Sequence, residues 1–136
     1  MTKLRLFALL LAFAPALGLA ASAGPLESSG TDLSDRASLQ RGAGLYMNYC
    51  AGCHALSLHR YSRIAQDLGL SPELVEQNLM PVSAKIGENI NTGISAGDGN
   101  AWFGKAAPDL SLVARAKHGG ADWVYSYLKG FYVDES

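Results

Sequence analysis

The run Cys50-Ala51-Gly52-Cys53-His54 constrains this chain more than any other feature. The chain has 2 cysteines and 3 histidines, and both cysteines and one histidine fall together here. C-x-x-C-H is the attachment signature of a c-type haem. The spacing has a mechanical reason. Thiols about one helical turn apart can each add to one of the two vinyl groups on one porphyrin edge. The histidine beside the second thiol then lies under the iron and coordinates it through a neutral ring nitrogen. Cys50 and Cys53 are therefore the expected covalent anchors of one haem c, and His54 its proximal iron ligand. Two other chemistries use the same residues. A disulfide between Cys50 and Cys53 suits an exported protein, but the βαβ context of a thioredoxin-like site is missing. A zinc site would need two of His54, His59 and His118 as well, and these show no recognisable ligand spacing.

The start of the chain bears on the same question. Met1 to Arg5 is short and basic, Leu6 to Ala20 is a continuous apolar run, and Ala21-Ser22-Ala23 precedes Gly24. Basic start, short apolar middle and small-residue exit make residues 1–23 a secretory signal peptide. The apolar run is shorter than the roughly 20 residues that cross a bilayer as a helix. Export places the protein in an oxidising compartment if the source is bacterial. Of 136 residues 49% are hydrophobic and 17% charged, which excludes a disordered chain. A formal net charge of −1 leaves no basic footprint for nucleic acid. With the first 23 residues gone, one core is possible with little to spare, and a covalent porphyrin would enlarge it.

The remainder reads as all-α with long loops. Residues 24–34 are small and polar and form an extended arm; residues 35–136 form the cytochrome-like domain. Ser34 is the expected N-cap of a helix running to about Tyr49, with Ala43, Tyr46, Met47 and Cys50 on one face. Gly42 and Gly44 weaken that helix, and a helix crossing at Gly42 and Tyr46 would compensate. Tyr61 to Leu68 is helical and stops at Gly69. Ser71-Pro72-Glu73 opens another helix, which Pro81 ends. Ile86 to Gly99, rich in glycine and asparagine, reads as a long surface loop. Pro108-Asp109 opens a helix carrying Leu110, Leu112, Val113 and Ala116 that stops at Gly119-Gly120. A last, aromatic-rich helix covers Asp122 to Leu128. No strand-like alternation of useful length occurs.

The sixth iron ligand would decide what the haem does: methionine suits electron transfer, and an open position suits gas binding or peroxidase-like chemistry. Met47 lies on the same helix as the motif, Met80 closes a short helix and fits core packing, and His59 is too near His54. His118, at a helix end, fits a cap or an exposed side chain. None of these identifies a sixth ligand in this chain.

From about Leu33 to Ser136 the sequence resembles the cytochrome c1 family, the haem subunits of quinol–cytochrome c oxidoreductase (the cytochrome bc1 complex). The resemblance rests on Asn48-Tyr49-Cys50-Ala51-Gly52-Cys53-His54, on Arg60-Tyr61 and Ile64 to Gly69, and on Asn78-Leu79-Met80. Trp102-Phe103-Gly104, Pro108 to Ala116, Ala121-Asp122-Trp123, Tyr125 to Leu128 and Phe131 to Ser136 complete it. The haem motif is common to all c-type cytochromes; the blocks from Trp102 onward are far more specific. The resemblance implies a class I c-type cytochrome fold with long insertions. It also implies that Pro108, Arg115 and Lys117 lie around the haem and its propionates. Family members often carry two prolines and an Arg-Ala-Arg ending where this chain has Ala107-Pro108 and Arg115-Ala116-Lys117. Lysine offers a point charge where arginine offers a fork.

The family also implies an electron carrier. It would take electrons from a Rieske-type iron–sulfur protein, beside cytochrome b, and pass them to a soluble cytochrome c at the periplasmic face of the bacterial inner membrane. The chain itself would make and break no bond. In the family a further stretch follows the Asp134-Glu135-Ser136 position, with the axial methionine, a last core helix and a C-terminal membrane anchor. The expectation is therefore a fragment, incomplete at the C-terminus, with membrane association through the complex or that anchor. The rival is an independent soluble c-type cytochrome, using Met80 or leaving the iron open.

Overall fold

A computed structural model describes residues 24–135; residues 1–23, the expected signal peptide, lie outside the described residues. The element order is α1 (Arg36–Tyr49), β1 (Leu56–Arg60), α2 (Tyr61–Leu68), α3 (Pro72–Asn78), β2 (Asn89–Ile90), α4 (Ala96–Phe103), α5 (Val113–Ala116) and α6 (Ala121–Lys129). Helices dominate, and the all-α class of a c-type cytochrome holds, with one small addition. β1 and β2 pair antiparallel, Leu56 opposite Ile90 and Arg60 opposite Asn89, with the register broken between them.

Side-chain caps explain where α1, α3 and α4 start. Asp35, not Ser34, caps α1: its carboxylate accepts from the Ser38 amide at 2.9 Å. Ser34 instead donates its hydroxyl and its amide to Asp32. Asp35 is one residue nearer the first free N–H groups and so wins the capping position. α2 ends on Gly69 in the left-handed region, as expected from the sequence. Ser71 caps α3 through the Leu74 amide, with Pro72 in the first turn.

Tyr61, Ala65, Val75, Leu79 and Ile90 form the buried core. Ala43, Tyr46 and Met47 of α1 pack against it, as the shared face of that helix predicts, and so do Leu56 and Met80. Three further expectations fail. The span from Ile86 to Gly99 is not one surface loop: Ile90 is fully buried, and Ser95 caps α4 by accepting from the Asp98 amide. Ile90 pairs with β1, whose five residues are too few for alternation to show. Pro108-Asp109 does not open a helix, because Asp109 folds back on the Ser111 amide and only Val113–Ala116 is helical. Gly42 makes no helix crossing among the described residues, since a Cβ there would meet nothing within 4 Å.

The arm, residues 24–34, lies along α6. Ser29 gives its amide and hydroxyl to Asp122, both at 2.7 Å. The Glu27 amide donates to the Ser126 hydroxyl, and Glu27 pairs with Lys129. Leu26 passes so close to Gly119 that a Cβ there would stand 2.3 Å from its Cδ1, and Gly119 has φ +86°. Glycine is required on both counts.

Candidate haem-attachment site

α1 ends at Tyr49 and the chain turns through Cys50 to His54. The amides of Cys53 and His54 donate to the Cys50 carbonyl, at 3.1 and 2.8 Å, so both cysteines and the histidine share one tight turn. Cys50 is half-buried and Cys53 exposed, and the two are not joined in a disulfide. Among the described residues no group of three or more histidines, cysteines and carboxylates is placed to hold a metal ion. His59 and His118 therefore do not join Cys50 and Cys53 in a zinc site.

His54 Nδ1 lies 2.8 Å from the carbonyl oxygen of Pro108. A carbonyl only accepts, so this nitrogen carries a proton, and in the neutral ring Nε2 is the nitrogen with the lone pair. A neutral imidazole with Nε2 presented is what an iron requires, and a hydrogen bond on the other nitrogen fixes ring orientation and raises basicity. Tyr46, one helical turn before the first cysteine, donates its hydroxyl to the His54 carbonyl at 2.6 Å. Burial first, with the nearby Asp109 charge adding to it, pushes the Tyr46 phenol up to about 12, which keeps it a donor.

The partner of this turn is the segment around Pro108. The Leu110 amide donates to the Ala55 carbonyl at 2.9 Å. The Ser57 amide donates to Asp109 Oδ2 at 2.9 Å, and the Leu58 amide to the Ser111 hydroxyl at 3.1 Å. Hydrogen bonds from Ser111 and Ser57 hold the Asp109 carboxyl well below the usual carboxylate range. Thr92 fastens the other side, donating to the Gly52 carbonyl at 2.7 Å. Cys53, Thr92, Ile94, Gly99, Phe103 and Ala106 line one cleft. Gly99 lets the chain pass close to its wall, because a Cβ there would stand 3.1 Å from Ala106 Cα. A cleft with mainly apolar walls beside an exposed thiol, with an oriented imidazole on the same turn, supplies the residue types that would hold a covalently attached porphyrin.

The remaining expected residues separate. Pro108 acts through its carbonyl. Arg115 is exposed on α5, and Lys117 lies beyond it with Nζ 4.6 Å from the Trp123 ring centroid, a cation–π contact. His118 is exposed, and Met47 and Met80 pack against the core. The sequence reading missed Asp109, Ser111 and Thr92. Asp109-Leu110-Ser111 does carry a turn signature, an aspartate accepting from the amide two residues on.

The comparisons agree with this geometry. The model of the Cytochrome C1 family matches residues 28–136. Cytochrome c1 of Allochromatium vinosum is 48% identical across 100% of this chain and 55% of its own length. The ammonia monooxygenase gamma subunit of Nitrosomonas europaea is 38% identical, covering 82% of this chain and 46% of its own length. The mitochondrial cytochrome c1 heme protein of Schizosaccharomyces pombe is 30% identical, covering 71% and 37%. The chain thus spans about half, or less, of the length of these relatives. Haem motif, oriented histidine and family match converge: the chain belongs to the cytochrome c1 family, whose members carry a single covalently attached haem c.

Proposed function

We propose that this chain is an electron carrier whose haem c is bound through Cys50 and Cys53 and ligated by His54 Nε2. The observation that carries the reading is the 2.8 Å approach of His54 Nδ1 to the Pro108 carbonyl, which leaves the other ring nitrogen free to ligate. When bound, the haem supplies a one-electron ferric–ferrous couple. The chain's own residues do the rest. The Cys50–His54 turn holds thiols and imidazole together, the Pro108 carbonyl keeps a proton on Nδ1, and Ile94, Phe103 and Ala106 offer apolar walls.

The electron donor is a Rieske-type iron–sulfur protein and the acceptor a soluble cytochrome c, with cytochrome b in the same membrane complex. The site faces the periplasm after export by residues 1–23. Among the described residues no helix is long and apolar enough to cross a membrane. The identity to the Allochromatium cytochrome c1, higher and over more of the chain than that to the Nitrosomonas subunit, favours this role.

Expression with periplasmic haem-attachment machinery tests the site. The product should be coloured, keep its haem in acidified organic solvent and show a c-type pyridine haemochrome spectrum. Cys50→Ser and Cys53→Ser should each leave a single thioether. A colourless protein, or pigment that extracts, overturns the attachment. Rapid reduction by a Rieske protein and oxidation by a soluble cytochrome c should follow; failure of both overturns the carrier role.

A further inference from the structure

Pro108 cannot hold its own carbonyl in place, because it has no amide N–H to anchor it. The anchoring falls to the next three residues, and Asp109 both ties them to β1 and shapes their turn. One carboxylate oxygen takes the Ser57 amide at 2.9 Å and the other takes the Ser111 amide at 2.7 Å. The first bond ties the segment to β1, three residues past His54. The second folds the chain so that the Ser111 hydroxyl meets the Leu58 amide. With the Leu110 amide on the Ala55 carbonyl, this row runs parallel to residues 54–58 and ends at the His54 ring.

We infer that Asp109 is a positioning residue: by clamping Ser57 and Ser111 it holds the Pro108 carbonyl on His54 Nδ1 and thereby sets how strongly that imidazole donates to the haem iron. The inference rests on the haem reading above and deepens it. An ionised carboxylate accepts both amides in charge-assisted bonds. Asparagine can accept only one, and presents its NH₂ to the other. Alanine accepts neither. Losing the Nδ1 hydrogen bond lowers imidazole basicity, weakens donation to ferric iron and raises the reduction potential.

Asp109→Asn and Asp109→Ala remove the same charge, so any difference between them reports positioning and not electrostatics. In the haem-loaded protein, Asp109→Ala should speed solvent exchange of the His54 Nδ1 proton by about tenfold, on the scale of one lost hydrogen bond. Asp109→Asn should fall between it and wild type, and the midpoint potential should rise in the same order. Equal potentials and equal exchange in the two variants overturn the inference and leave the haem reading intact. If Asp109→Ala does not fold, Asp109→Asn decides alone, and wild-type exchange in it overturns the proposal. A wild-type protein without covalent haem overturns the underlying reading, and this inference with it.

Discussion

Tyr46 and His54 are joined by a hydrogen bond of 2.6 Å from the phenol to the histidine's backbone carbonyl, across the end of α1. The bond ties the helix that packs on the core to the turn that bears the thiols. Tyr46→Phe keeps the packing and removes the donor. It should cost about 1 kcal/mol, read as a lower denaturation midpoint.

The same phenol gives a pH dependence. Its folded value is raised to about 12, from an ordinary value of 10.0, by burial first and nearby negative charge second. The folded state therefore holds the proton more tightly. This contribution is complete below pH 10 and is lost as pH rises toward 12. Alkaline unfolding curves of wild type and Tyr46→Phe should converge across that window.

Ile90 is fully buried, in a segment whose composition suggested an exposed loop. Ile90→Ala should destabilise by about 2–5 kcal/mol, whereas an exposed loop position would cost under about 0.5 kcal/mol. Denaturant titration distinguishes the two.

Gly42 and Gly99 should respond oppositely to alanine. Gly42 is open on a helix, so Gly42→Ala should stabilise by up to about 1 kcal/mol. Gly99→Ala brings a methyl to 3.1 Å from the Ala106 backbone, whose amide is held by Asn100 at 2.8 Å. Overpacking against a fixed backbone should outweigh the helix gain, with a net loss of about 1 kcal/mol. Thermal melts of the two variants test the sign.

The arm should detach in acid. Bonds from the Ser29 amide and hydroxyl hold the Asp122 carboxyl below its ordinary value of 3.8. A depressed value means docking is complete above pH 3.8 and fades as pH falls through the lower, folded value. Amide exchange at Ser29 should rise across that range, and Asp122→Ala should show the rise already at neutral pH.

The Cys50–His54 motif, the α2 stop at Gly69, the α3 cap at Ser71 and the buried face of α1 could all be read from the amino acids. Each depends on chemistry or spacing within a few residues: a thiol pair one turn apart, a glycine free to take positive φ, a hydroxyl near free amides, a helical period. What could not be read was decided by contacts between distant parts of the chain. Ile90 is buried because β1 pairs with it, the arm lies on α6 because Asp122 accepts from Ser29, and Asp109 turns away from a helix toward the Ser57 amide. The meeting of His54 with Pro108 belongs to the same class, since nothing local to either residue specifies a partner 54 positions away. Local preferences of about 1 kcal/mol per residue are outweighed when tertiary packing satisfies several backbone groups together, and only the folded chain shows which groups meet.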